Sequence, residues 1–502
     1  MRLPLFLLTL LSFATPLAAT AQSAVPAPVA AAAGTITGDD VIRRIGVIAD
    51  DSMLGRDTPS AGLEKTAAWV AGEFRRFGLK PGGENGSWFQ RYSISLRKLE
   101  SAKSFLVLRA GATEVRVPFS ASARLARGPV PSAPVSGDVV LIGGELSVDA
   151  AAQAPLKDKI ALVVPNPSSA NGDQAIRAIL AAGPRAVLLL SPLDSAAFAP
   201  RLLAQARERT VVDFGERRPP VVEVREGAVA KVLQAAGVRP TELRSAHTSV
   251  VRSPKLAGTL TLVETVVSSQ TAPNTVGILE GSDPALRHEY VLFSAHMDHI
   301  GISAGQPDSI NNGADDDASG TAGVVELAEA MSQPGARPRR SVIFLTVSGE
   351  EKGLWGSRYF SEHPPVPLKD VVADINIDMI GRNWPDTIVA IGKEHSDLGR
   401  TLERVNAAHP ELGMHAIDDR WPEERFYFRS DHYNFARKGV PILFFFNGVH
   451  EDYHRVSDSV DKINGEKESR ILKLLFYLGQ DIGNAAERPK WNPESYREIV
   501  EQ

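Results

Sequence analysis

Glu289-Tyr290-Val291-Leu292-Phe293-Ser294-Ala295-His296-Met297-Asp298 is an almost unbroken apolar run that stops on a histidine and, two positions later, an aspartate. An apolar run without alternation predicts a strand buried on both faces of a mainly parallel sheet. His296 and Asp298 fall just past its carboxyl end, on one face of an extended segment. That edge is where open α/β sheets build their sites. The pattern recurs downstream. Ser341 to Val347 is a continuous apolar strand followed by Ser348-Gly349-Glu350-Glu351, and Asp370 to Ile377, rich in β-branched residues, ends on Asp378. Val440 to Phe446 is a fourth such run, and His454 lies in the loop after it. Asn312-Gly313-Ala314-Asp315-Asp316-Asp317-Ala318-Ser319-Gly320 packs three acids into a Gly-flanked turn, entering a helix over Thr321 to Met331. Apolar strands alternating with helices predict an α/β fold: a mainly parallel, mixed sheet sandwiched by helices.

Five potential metal ligands therefore converge on one sheet edge: His296, Asp316, Glu351, Asp378 and His454. The chain has no cysteine, so a zinc site must use His and carboxylates, and neither a disulfide nor a lipid-bearing Cys is available. Asp298 can accept the other ring N–H of His296, fixing its tautomer. The adjacent carboxylates of Asp315, Asp316 and Asp317 repel one another, and a divalent cation would relieve the repulsion. One of them can bridge two metals, while Asp317 or Ser319 can cap the following helix. Glu350 and Glu351 end an apolar strand, where paired acids demand cations. Neighbouring side chains point differently, so one can ligate while the other faces a reacting water. His299 reads as structural. Ser430-Asp431-His432 cannot easily form a Ser-His-Asp triad from three neighbours, and the chain has no P-loop.

Working outward, residues 120–255 alternate short Val/Leu-rich strands (Gly137 to Gly144, Lys159 to Val164, Arg185 to Leu190) with Ala-rich helices (Gln174 to Ala182, Glu226 to Ala236). They hold no cluster of His and carboxylate and read as an inserted, smaller β-rich α/β module. Near the N-terminus, Asp39 can cap a helix through Val41, Ile42 and Ile45, and Ala61 to Phe77 has helical spacing that Gly78 stops. Residues 22–37, rich in Ala, Pro, Gly, Ser and Thr, read as a disordered linker. Arg2, the apolar run Leu3 to Leu17 and Ala19-Thr20-Ala21 read as an export signal over 1–21 with Gln22 as the first mature residue. The run is short for a spanning helix, which needs about 20 apolar residues. The expectation is a protein exported to a bacterial periplasm or beyond, with no stable membrane insertion after cleavage. At 502 residues more than one core is expected. The net charge of −5 comes from mixed signs with no basic cluster, which gives no footprint for nucleic acid or a membrane surface. The expected division is 38–119 as the first part of a catalytic domain, 120–255 as the insert, 256–486 as the rest of the catalytic domain and 487–502 as a tail.

Taken together, Ala295-His296-Met297-Asp298, Gly313 to Gly320, Ser348-Gly349-Glu350-Glu351-Lys352-Gly353, Asn376-Ile377-Asp378-Met379, and Tyr453-His454 followed by Ser457-Asp458-Ser459 resemble the zinc-dependent exopeptidases that include the secreted bacterial aminopeptidases and glutamate carboxypeptidase. The resemblance spans 270–465 and, more loosely, 40–100. The middle module is similar to the protease-associated domain often inserted in this family. The resemblance implies two Zn2+ ions, although cobalt and manganese also fit such ligands. It implies that Asp316 bridges them, that His296 and Asp378 complete one site and that Glu351 and His454 complete the other. It makes Glu350 the general base and then the acid, Asp298 the residue that orients His296, and Tyr427 the hydroxyl that steadies the oxyanion. It also implies a cis peptide at Asp316–Asp317. Asp317 departs from the Asn found in many members. The expected activity is an aminopeptidase acting on peptides or proteins. A carboxypeptidase or dipeptidase would need Arg382, Arg425 or Arg429 to grip a carboxylate. A non-catalytic binding protein and a single-zinc cyclase are the remaining readings, and the full ligand set weighs against both.

Overall fold

The apolar runs pair as their two-sided burial requires. In a computed structural model that describes residues 25–166, 172–215, 218–305 and 307–501, the strands are β1 (Glu264–Leu279), β2 (Tyr290–His296), β3 (Ser341–Val347), β4 (Val371–Ile377), β5 (Thr387–Ile391), β6 (His415–Ile417) and β7 (Ile442–Phe445). The expected export signal lies outside the described residues. The strands neighbour one another in the order β6-β5-β7-β4-β2-β3-β1. β2 runs parallel to β3, with His296 opposite Val347, and parallel to β4, which is parallel to β7. β5 runs antiparallel to β7 and the end of β1 antiparallel to β3, so the sheet is mixed. Every residue of β3 and β4 is buried, which explains why their sequences do not alternate.

The longer helices of this unit, together with two short ones at its ends, are α1 (Ala27–Ala33), α2 (Gly38–Ile48), α3 (Ala61–Arg76), α4 (Gly320–Ser332), α5 (Leu398–Ala408), α6 (Gly465–Asn484) and α7 (Pro493–Ile499); a further short helix covers His432–Ala436. Val41 and Ile45 of α2, Phe74 of α3, Val324 and Leu327 of α4 and Leu472 and Phe476 of α6 share one core with Phe293, Phe344 and Ile375 of the sheet. α6 approaches β2 closely: a Cβ on Gly479 would stand 2.5 Å from the Phe293 ring. Arg44 of α2 is fully buried and pairs with Glu326 of α4 at 2.5 Å and with Glu329.

Three expectations for the chain ends need correction. Residues 27–33 are helical, not disordered, and Ala32, Ala33 and Ile36 enter the core. The alanines that made the segment look like low-complexity linker are also the strongest helix formers and small enough to pack. The cap of α2 is Thr37, whose Oγ1 accepts the Asp40 N–H at 3.2 Å, and Asp39 sits in the first turn. The tail carries α7, and Trp491 Nε1 just before it donates to Gly439 O at 2.9 Å.

The chain forms two compact units, one of residues up to Gln90 with Asn274–Ser357 and Pro364 onward, the other of Arg91–Pro273 with Arg358–His363. The insert is thus wider than 120–255. The hairpin Phe105–Ala110/Thr113–Pro118 pairs onto Ala257–Thr261, which pairs with Val135–Gly143, so its flanks belong to the insert's own sheet. Val135–Gly143, Ile160–Val163, Ala186–Ser191 and Val221–Arg225 run parallel side by side. Leu108, Val139, Ile160, Leu188 and Val222 lie in a core of this unit's own.

Candidate metal centre

The carboxyl ends of β2, β3 and β4, the turn before α4 and the loop after β7 deliver the expected residues to one place. His296 Nε2 lies 3.3 Å from Asp316 Oδ1 and 3.6 Å from Asp378 Oδ1. His454 Nε2 lies 3.2 Å from Asp316 Oδ2 and 3.1 Å from Glu351 Oε2. Asp316 is therefore shared between two groups, one of His296 and Asp378, the other of Glu351 and His454. In the first, the three candidate ligand atoms all lie within 4.8 Å of one another. His296 Nδ1 is 3.1 Å from the backbone oxygen of Asp298, and a hydrogen bond there leaves Nε2 as the ligand atom.

The acidic turn divides its labour. Asp315 Oδ1 accepts the Gly381 N–H at 2.6 Å and its Oδ2 lies 3.2 Å from His450 Nε2. Asp317 Oδ1 accepts the N–H of Gly320, capping α4, and that of Met379, and its Oδ2 accepts the His296 N–H. Asp458 accepts the N–H groups of Asp315 and Asp316. Only Asp316 of the three points both oxygens at candidate ligands. The peptide bond after it is cis, as expected.

The electrostatics ask for positive charge. Burial opposes the charged form of His296, yet Asp378, Asp316 and Asp317 hold its imidazolium well above the ordinary histidine range. Burial alone would raise Asp316, but His299, His296 and His454 hold it well below the carboxylate range. Burial pulls His454 down, yet Asp316 and Glu351 push it up to about 10. Burial, Asp431, Asp378 and Glu351 push Glu350 well up. Asp316 Oδ2, Glu351 Oε1 and both ring nitrogens of His299 are buried without a hydrogen-bond partner. These orphaned atoms around shared carboxylates, with a His and carboxylate donor set and no thiolate, fit two divalent cations of the zinc type.

Several details differ from expectation. His299, read as structural, has its Nδ1 2.9 Å from Glu351 Oε1 and 3.6 Å from Asp316 Oδ2, and it groups with them as a candidate ligand set. Its spacing of three from His296 was the available signal. The Asp298 carboxylate stands 3.8 Å from His296 Nδ1, so the backbone carbonyl holds the ring instead. The carboxylate accepts from Thr58 Oγ1 and the Glu350 N–H. Ser430 Oγ donates to Asp378 Oδ2 at 3.0 Å and His432 Nε2 bonds the Tyr427 carbonyl, so these neighbours support the centre and form no triad. An open pocket faces it, lined by His296, Asp316, Glu350, Glu351, Asp378 and Tyr453 and walled by Phe426, Phe444, Phe446 and Val449, with Arg429 among the lining. Tyr427 does not line it. Its ring is buried, edge-on to His395 at 4.4 Å. Tyr453, beside His454 in sequence, does line the pocket and stacks on that imidazole at 3.9 Å.

Residues 274–479 match the family model described as peptidase family M28. The chain is 29% identical over 211 residues to leupeptin-inactivating enzyme 1 of Streptomyces exfoliatus, across 42% of this chain and 43% of that protein. It is 30% identical over 204 residues to a probable zinc metalloprotease of Pyrenophora tritici-repentis, across 34% and 41% of the two chains. It is 26% identical over 210 residues to a probable leucine aminopeptidase of Arthroderma otae, across 40% and 56%. The chain spans about half the length of these curated relatives.

Proposed function

We propose, from the match of residues 274–479 to the model of peptidase family M28, that this chain is a two-zinc aminopeptidase that releases N-terminal residues from peptides. The observation that carries the reading is the sharing of Asp316 by two ligand groups beside Glu350, whose carboxylate has no hydrogen-bond partner among the described residues and opens on the pocket. His296, Asp316 and Asp378 would hold one ion, and Asp316, Glu351 and His454 the other. When bound, the ions supply the Lewis acidity that brings a water's pKa toward ~7 and polarises the scissile carbonyl.

The chain's own residues do the rest. Glu350 accepts the proton of the attacking water and returns it to the leaving amine. The raised pKa of Glu350 reflects burial in a site crowded with carboxylates. Tyr453 lines the same pocket, and in this proposal its hydroxyl donates to the oxygen on which negative charge develops. Phe426, Phe444, Phe446 and Val449 offer an apolar wall for the side chain of the residue released. The surrounding carboxylates favour a substrate's free ammonium, which supports an aminopeptidase, as does the name of the Arthroderma otae relative.

One observation bears on a carboxypeptidase: Arg429 lines the pocket, its guanidinium pairing with Glu424 at 3.2 Å and sitting over the Phe426 ring at 4.8 Å. Arg382 is committed to Asp452 at 3.1 Å and Arg425 stacks over Phe428 at 4.8 Å. Mass spectrometry of one peptide in free and N-acetylated forms, with and without a chelator, separates the readings. Stepwise loss from the free N-terminus, stopped by acetylation and by the chelator, is the result expected. Trimming from the C-terminus would move the assignment to a carboxypeptidase using Arg429. No cleavage with zinc supplied would end the enzymatic reading. Export follows in this proposal from the Arg2–Ala21 segment, and N-terminal sequencing of secreted protein should begin at Gln22. Among the described residues no helix is long and apolar enough to cross a membrane.

A further inference from the structure

A short segment far upstream of the ligands is threaded against the loops that carry them. Arg56 is fully buried. Its Nε donates to Met297 O at 2.9 Å, its Nη2 to Gly313 O at 3.0 Å, and its Nη1 to Ile48 O and Asn312 O. The His299 N–H donates to Arg56 O and the Gly301 N–H to Gly55 O. The contact is close enough that a Cβ on Gly55, at φ 65°, would stand 2.4 Å from Gly301 O. Two residues on, Thr58 is buried. Its Oγ1 donates to Asp298 Oδ2 at 3.0 Å and accepts the Gly349 N–H at 3.0 Å. The other oxygen of Asp298 accepts the Glu350 N–H at 3.3 Å.

We infer that Thr58 is a positioning residue for Glu350: its hydroxyl, through Asp298, bolts the Gly349-Glu350 turn to the end of the strand that carries His296. Gly349 has a φ of 70°, and a turn with such a residue next to the base can pivot unless its amides are held. The Thr58–Asp298 bridge holds both the Gly349 and Glu350 N–H groups, while Arg56 fixes the segment that presents Thr58. A shift of ~1 Å in a reacting group lowers rates by about 10²-fold, so the bridge acts on kcat without touching substrate. The inference rests on Glu350 being the proton acceptor.

Thr58→Val keeps the shape of the side chain and deletes the hydroxyl, and Thr58→Ser restores it. Both are compared with wild type as zinc-loaded full chains, with Glu350→Gln alongside. The readouts are kcat, KM, metal content by mass spectrometry, and hydrogen exchange of the segment spanning Gly349 and Glu350. Thr58→Val should keep both metals and KM, lose roughly 10- to 100-fold in kcat, and exchange faster at that segment, with Thr58→Ser recovering rate and protection. Wild-type kcat and exchange in Thr58→Val would overturn the inference. Metal loss from Thr58→Val, or equal damage in Thr58→Ser, would overturn it too, since either makes the residue structural. If Glu350→Gln stays near wild-type rate, the functional reading falls and the inference with it. If Glu350→Gln is dead while Thr58→Val is wild-type, the inference alone falls.

Discussion

The strands Val135–Gly143, Ile160–Val163, Ala186–Ser191 and Val221–Arg225 of the insert pair in parallel, as β2, β3, β4 and β7 do. Both sets are mostly buried Val, Leu and Ile. The two sets differ in the residues at their carboxyl ends. Past the insert's strands come Gly144-Glu145, Val164-Pro165, Pro192-Leu193 and Glu226-Gly227. Past the other set come His296, Glu350-Glu351 and Asp378. The buried acid within the insert's sheet, Glu223, is satisfied by Arg124 at 2.6 Å and by Arg201, whereas Asp316 and Glu351 each bury an oxygen without a hydrogen-bond partner. A buried acid with its arginines is structure. Buried acids with bare oxygens at a strand edge ask for cations. The same architecture thus carries chemistry in one unit and, among the described residues, gathers no metal-binding cluster in the other, so function here resides in strand-end residues and not in the fold.

The largest effect that would break this comparison is at Glu350. Glu350→Gln should lower turnover by about 10³-fold or more while metal content stays at wild type, and near-native rates would refute the role. Next, Asp316→Asn should lose both zincs on dialysis and Asp378→Asn only one, because only Asp316 belongs to both groups. Equal stoichiometries in the two variants would argue against a shared ligand. In the insert the expectation reverses. Leu188→Ala, at a fully buried site, should cost about 2–5 kcal/mol in denaturant melts with metal content unchanged. The smallest test concerns Glu326, a buried acid away from both edges. Burial, against the pull of Arg44, raises its carboxyl from the ordinary 4.5 to about 7. The folded state therefore holds a proton that the unfolded chain has released. This contribution is full below about pH 4.5 and lost as pH rises through about 7, a fall of about 3 kcal/mol. Urea titrations of metal-free protein at several pH values should show a flatter profile for Glu326→Gln. Parallel profiles would place the pH dependence elsewhere.

The sheet could be read from sequence because four apolar runs needed no partner to declare themselves, and His296, Glu351 and Asp378 stood out as candidates because each sits at or just past the end of such a run, whereas Asp316 stood out by its acidic turn. The features that escaped depend on distance along the chain. Thr58 and Arg56 act on residues more than two hundred positions away, and no local pattern announces that. The helix at 27–33 was hidden by a composition that suits both disorder and helix. Tyr453 lines the pocket and Tyr427 does not, because which ring reaches a pocket depends on the path of the loops and not on motif order. His299 was underrated because a lone imidazole says little until the carboxylates facing it are known.

Arg56 lies 241 positions before the carbonyl it holds at Met297, and His454 comes later still. During synthesis the insert can complete its own core while Gly55 to Thr58 wait for partners not yet made. Contacts this far apart in the chain close late and slowly. The candidate centre therefore cannot close until residues from Arg56 to His454 have all been made, long after the insert has every strand it needs.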